Sequence, residues 1–330
     1  MKFTLLNRLS LILAILGVSL SWTACSPDSE QIPELSDRVQ EEKLINDLMF
    51  LSSDELEGRR TGTEGNRIAR EFIEQRFDSL NLSMFGDSYL HLFNHVNPRS
   101  GDEFIDAVNV IGYVEGSVNP DRFIVVTAHY DHLGVRDEEI YNGADDNASG
   151  TSALLAAAEF FSENQPENSI MFLALDAEEQ GLGGARWFVE NPVVPLDQIV
   201  MNVNMDMISA NFENELFAAG TSHYPYLEPI VEAVAVNSDV NVRFGYDSED
   251  WPQDWTMASD HGPFHEKGIP FLYFGVVDHP NYHQPSDTFE NTNPDFFVDA
   301  ADTIVRVIEA LDLNLDTVVE AEQSAETTME

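Results

Sequence analysis

The sequence predicts a single α/β domain, residues 38–315, built on a mostly parallel mixed sheet sandwiched between helices. From about residue 108, continuous apolar runs alternate with stretches of helical spacing, the pattern of strands covered on both faces by crossover helices. The 330 residues are 43% hydrophobic and 10% aromatic, enough for one large core and too apolar for disorder or low complexity. No internal repeat or second-domain linker interrupts the run.

Taken in order, residues 1–24 read as an export signal. Lys2 and Arg8 precede the apolar run Leu9 to Leu20, which is too short to span a bilayer. Trp22-Thr23-Ala24-Cys25 resembles a bacterial lipobox, with Trp22 where Leu or Val is usual. That resemblance implies lipidation at Cys25 and a membrane-anchored lipoprotein facing the periplasm or the cell surface, with no other membrane contact. Cys25 is the only cysteine, so no intrachain disulfide forms. Residues 25–37 are polar and proline-containing, a flexible tether.

Helical spacing follows at 38–51 and 64–80, the second with Ile68, Phe72, Phe77 and Leu80 on one side, Thr63 as N-cap and Asn81 near its end. Strands are expected at Val108–Val114, Phe123–Ala128, Ile170–Leu175, Ile199–Val203 and Phe271–Val276, the first two joined as a hairpin through Glu115–Pro120. Helices are expected at Thr151–Phe161, Tyr226–Val236 and Phe296–Leu311, before an acidic tail, 316–330, that frays.

Asp and Glu number 59 against 16 Lys and Arg, a formal charge of −43. Such a surface repels phosphate backbones, which argues against nucleic acid as a partner. A heavily solvated acidic shell suits concentrated salt; it bears on environment and not on activity.

The polar residues that end each strand carry the functional signal. His129-Tyr130-Asp131 follow the Phe123–Ala128 strand, Asp176 to Gly181 the Ile170–Leu175 strand, Asn204-Met205-Asp206 the Ile199–Val203 strand, and Asp278 to His283 the last. Asp145-Asp146 precede the Thr151 helix. Open α/β sheets bind ligands beyond the carboxyl ends of their strands, so two histidines and several carboxylates meet at one edge. Each has an ordinary reading alone: a strand-end histidine, a turn or capping aspartate, a solvated Glu-Glu pair. Together they form a cysteine-free donor set that suits zinc, with a shared carboxylate suiting two ions. Uncompensated carboxylates packed at one edge would repel one another, which a cation relieves.

Seven segments then match a known family in order: LSSDELEGRRTGTEGN at 51–66, AHYDHLG at 128–134, NGADDNASG at 142–150, LDAEEQGLGG at 175–184, NMDMI at 204–208, SDHGPF at 259–264 and YHQPSDT at 282–288. From about Leu51 to Leu311 the chain resembles the co-catalytic zinc exopeptidases that include bacterial secreted leucine-type aminopeptidases, with glutaminyl cyclases as structural cousins. The resemblance implies the zinc-exopeptidase fold and two zinc ions per chain. His129 and Asp206 would hold one ion, Glu179 and His283 the other, and Asp146 would bridge them. It further implies Glu178 as general base, Asp131 as the group orienting His129, Tyr282 as a hydrogen-bond donor to the developing oxyanion, and a cis peptide after Asp146. The implied substrates are peptides with a free N-terminus.

Other residues keep two readings. His132 is a scaffold residue more readily than a ligand; Asp260-His261 either support the His283 loop or touch substrate; Asp287 buttresses that loop or caps a turn. Arg243–Met257 either walls a pocket or forms a surface loop. A glutaminyl cyclase-like acyl transfer and a carboxypeptidase are the alternative reactions, the latter wanting a basic residue such as Arg186 or Arg243. A lipoprotein that kept the fold without catalysis would have no need of every ligand type.

Overall fold

In the computed structural model, residues 37–329 are described; the export signal, Cys25 and the tether up to residue 36 lie outside the described residues. The chain begins with α1 (Glu41–Leu51) and α2 (Glu64–Ser79). Thr63 caps α2, its hydroxyl accepting the Asn66 amide at 3.3 Å. The strands are β1 (Leu90–Val96), β2 (Glu103–Val114), β3 (Asn119–His129), a ribbon of β4 (Gly134–Arg136) with β5 (Glu139–Tyr141), then β6 (Asn168–Leu175), β7 (Ile199–Met205), β8 (Glu215–Ala219), β9 (Asn241–Phe244) and β10 (Phe271–Gly275). The remaining α-helices are α3 (Gly150–Glu163), α4 (Gly183–Glu190), α5 (Glu228–Ala235), α6 (His261–Glu266), α7 (Pro294–Leu313) and α8 (Leu315–Met329).

Eight strands form one sheet in the order β1-β2-β6-β3-β7-β10-β8-β9. Its four central strands, β6, β3, β7 and β10, run parallel, so their carboxyl ends open on the same edge. Alternate residues of β6 serve opposite layers. Ile170, Phe172 and Ala174 join the larger core with Leu44, Ile73, Leu154 and Ile304. Met171, Leu173 and Leu175 join the smaller one, where Phe188 of α4 meets Phe264 of α6 at 5.7 Å.

Two expectations are corrected. β2 does not pair with β3. It lies antiparallel on β6, Val110 opposite Ala174 and Val114 opposite Ile170, and β6 inserts between β2 and β3. An all-apolar strand buried on both faces needs both edges satisfied. The turn after β2 arches over its start: Gly116 N donates to Ser169 Oγ at 3.0 Å and Val118 N to Glu167 O at 2.9 Å. The acidic tail, expected to fray, is helical as far as Met329: it forms α8, seated by Leu315 and Val318 in the larger core. Among the described residues no helix is long and apolar enough to cross a membrane.

Candidate active site

His129 is the last residue of β3, and Thr151 at the start of α3 donates to its carbonyl at 2.7 Å. Asp206 follows β7, Glu178 and Glu179 follow β6, and Tyr282 and His283 lie in the loop after β10. Asp146 sits in the turn Ala144–Ser149 ahead of α3, and the Asp146–Asn147 peptide is cis. Gly143 opens that turn with φ +59, and a Cβ there would lie 2.1 Å from the Asp146 carbonyl oxygen; only glycine fits.

Backbone bonds fix this turn. Asp287 Oδ1 accepts the Asp145 amide at 2.9 Å and Oδ2 the Asp146 amide at 3.1 Å, so Asp287 caps the turn that carries Asp146. Asn147 Nδ2 donates to Met205 O at 2.9 Å, tying the turn to the end of β7. Buried Arg59, from the LEGRR segment, donates to the carbonyls of Leu51, Tyr130, Asn142 and Gly143. Burial lowers its pKa to about 10, against the pull of Asp287, Asp146, Asp131 and Glu179, so it remains a cation at neutral pH.

The five expected ligands converge. His129 Nε2 lies 3.3 Å from Asp206 Oδ1 and 3.4 Å from Asp146 Oδ1. Asp146 Oδ2 lies 3.0 Å from His283 Nε2, which is 3.5 Å from Glu179 Oε1. Asp146 therefore turns one oxygen to each half of the cluster. His129 Nδ1 faces the Asp131 carbonyl oxygen at 3.1 Å, closer than the Asp131 carboxylate at 3.7 Å; Asp131 orients the ring chiefly through its backbone.

His132, read from sequence as scaffold, stands inside the cluster with Nδ1 2.8 Å from Glu179 Oε1. Tyr273, read as part of a core strand, lines the cleft and donates to the Asp206 carbonyl at 3.2 Å. Nothing in the apolar run FLYFGV singles that tyrosine out. His132, by contrast, was legible in the AHYDHLG segment that carries His129.

The electrostatics follow from burial and proximity. Burial pushes the half-buried Glu178 carboxyl well above the usual carboxylate range, and Glu179, Asp260 and Asp206 add to it. Burial opposes ionisation of Glu179 too, but the contacts to His132 and His283 hold it down to about 2. His283 is driven up to about 10 despite burial by Asp146 and Glu179.

Glu178, Glu179, Tyr282 and His283 line a cleft of about 730 Å³. Tyr282 stacks on His283 with ring centres 3.9 Å apart. Trp255 and Met257 also line it, with Trp255 stacked on Tyr246 at 4.0 Å, so the end of the 243–257 segment walls the pocket, while Arg243 and Phe244 belong to β9. Buried His261 supports that wall, Nε2 donating to the Trp255 carbonyl at 2.8 Å. Of the two arginines a carboxypeptidase would want, Arg186 lines the cleft but pairs with Glu266 at 3.1 Å. Arg243 is held by Glu215 at 3.6 Å.

Two groups of donor atoms, His129/Asp146/Asp206 and His132/Asp146/Glu179, each lie within 4.8 Å of one another. Glu179 Oε1 and both ring nitrogens of His132 are buried without an aligned hydrogen-bond partner among the described residues. Orphaned buried donors in a mixed imidazole–carboxylate set are what a zinc site requires.

Residues 109–308 match Peptidase family M28. The chain belongs to peptidase family M28. It is 31% identical over 213 residues to Aminopeptidase YwaD of Bacillus subtilis, covering 61% of this chain and 44% of that protein's length. Its fold is that of a zinc aminopeptidase from Bacillus subtilis, TM-score 0.68 at 18% identity over 84% of this chain and 96% of that one. Porphyromonas gingivalis glutaminyl cyclase shares the fold with TM-score 0.68, 16% identity, and 83% and 99% coverage.

Proposed function

We propose that this M28 peptidase is a zinc aminopeptidase that releases residues from peptides with a free N-terminus. The observation that carries the reading is Asp146, whose two oxygens face His129 and His283 separately. Two ions would be held, one by His129 and Asp206, one by Glu179 and His283, with Asp146 shared. When bound, zinc supplies Lewis acidity toward a scissile carbonyl and acidifies water.

The chain's own groups do the rest. Glu178 sits at the cleft surface beside ligand Glu179, where it takes a proton from the attacking water and returns it to the leaving amine. Burial, with Asp146, Asp206 and Glu179 nearby, pushes the Tyr282 hydroxyl upward. It thus stays protonated and donates to the carbonyl oxygen as negative charge develops. The acidic surface attracts an α-ammonium and orders the N-terminus first. Export and lipidation at Cys25 remain part of this proposal; the mass of the mature N-terminal peptide tests them.

Metal quantification on the purified protein, with a matched panel of free and N-acetylated aminoacyl substrates, tests the reading. Two zinc equivalents and cleavage of the free series alone are expected. His283→Ala should lose one equivalent; loss of that equivalent from His132→Ala with His283→Ala intact would exchange their roles. Pyroglutamyl product from an N-terminal Gln peptide, without free amino acid, would replace the peptidase by a cyclase.

A further inference from the structure

Arg99 stands at the tip of the β1–β2 hairpin and lines the same cleft as Glu178, Glu179 and His283. In a chain this acidic, arginines are quickly taken up: Arg186 pairs with Glu266, Arg60 lies over Phe104 and Arg136 over Tyr141. The Arg99 guanidinium, among the described residues, has no hydrogen bond, ion pair or ring contact, and the residue is exposed. The tip that carries it is nonetheless built. Asn97 Oδ1 accepts the amides of Arg99 and Ser100 at 2.8 and 3.1 Å. Asn97 Nδ2 donates to Gln180 Oε1 at 3.2 Å, and His95 Nε2 to the Gln180 carbonyl at 2.9 Å. Pro98 packs so close to Gly181, φ +105, that a Cβ there would sit 2.9 Å from its ring. The hairpin tip is thereby docked on the segment that carries Glu178, and its Arg99 is part of the cleft lining.

Of the groups a peptide offers, a carboxylate is the one that a guanidinium holds most strongly, and the rest of this surface repels it. Resting on the aminopeptidase reading above, we propose that Arg99 is a specificity-determining residue that pairs with a substrate carboxylate near the scissile bond. That carboxylate is either the free C-terminus of a short peptide or an acidic side chain.

The test uses zinc-loaded full-length protein and four peptides: Leu-Ala-Ala acid, its amide, Leu-Glu-Ala amide and Glu-Ala-Ala amide. Wild type should favour at least one carboxylate-bearing peptide over Leu-Ala-Ala amide by about three- to tenfold in kcat/KM, expressed mainly in KM, as suits a solvent-accessible charged pair. The peptide that shows the preference identifies the source. Arg99→Gln should bring that ratio near unity, Arg99→Glu should invert it, and Arg99→Lys should keep part of it. A wild type without preference, or a ratio that survives in Arg99→Gln, overturns the proposal. If no peptide is cleaved, the peptidase reading fails by itself, and tryptophan-fluorescence titration decides the Arg99 claim. Tighter binding of Leu-Ala-Ala acid than of its amide, lost in Arg99→Gln, sustains it; equal binding refutes it.

Discussion

The carboxylate of Asp131 accepts the backbone amide of Glu178 at 3.0 Å, while the carbonyl of Asp131 faces His129 Nδ1. One residue thus holds both the proposed ligand His129 and the proposed base Glu178, through different atoms. Asp131→Ala keeps the carbonyl and frees the Glu178 amide. Turnover is therefore expected to fall by about 10- to 100-fold while zinc affinity moves less. Parallel kcat and zinc-dissociation measurements check this; an equal loss in both would assign Asp131 to the metal alone.

Glu178 and Asp146 separate by the same logic. Glu178→Gln should retain both ions and lose on the order of 10²–10⁴ in turnover, whereas Asp146→Ala should lose metal as well. Parental cleavage of an aminoacyl anilide by Glu178→Gln would remove the base assignment.

The metal-free protein should lose stability as pH rises. Burial pushes Asp260 up to about 7 and Asp47 up to about 6, above the value near 4 of an unfolded aspartate. The folded state therefore binds more protons, so their stabilisation is complete below about pH 4 and is lost through 6 to 7. His283, raised to about 10, acts in the same direction above neutrality. Glu179, held near 2, works the other way only at acid pH, and His261, pushed down to about 3 by burial, offsets part of the loss up to the ordinary histidine value. The Tm of chelator-treated protein should be higher at pH 5.5 than at pH 8, and added zinc should narrow the gap. A pH-independent Tm would contradict the burial-driven shifts.

Arg59 satisfies four backbone carbonyls at once. Arg59→Met leaves them buried and unpaired, at a cost of about 3 kcal/mol or more, and Arg59→Lys recovers only part because an ammonium lacks the planar fork. Urea unfolding midpoints measure both.

Salt should stabilise the protein. Screening relaxes the self-repulsion of a chain with net charge −43, while exposed pairs such as Arg67 with Glu64 and Glu71 lose little. A Tm that is flat or falls between low and molar NaCl would refute this.

Periodicity made the central strands legible, and the residues after them made the convergence of five donor side chains legible, because parallel strands export their ends to one edge. The partner of β2 was not legible: Val108–Val114 and Phe123–Ala128 are neighbours in sequence, and β6 comes between them by a nonlocal pairing. Arg59 was hidden because its acceptors are carbonyls, which leave no side-chain signature. Tyr273 was hidden because its neighbours in the strand are apolar. At the start of the tail, abundant acid masked Val318, which with Leu315 three residues earlier lies on one helical face.

The donors at this centre enter from positions as far apart as His129 and His283. A chain that stops short of that second imidazole therefore lacks one of the five converging side chains. On the aminopeptidase reading, a growing chain would become able to cleave peptides only after nearly the whole domain has been made.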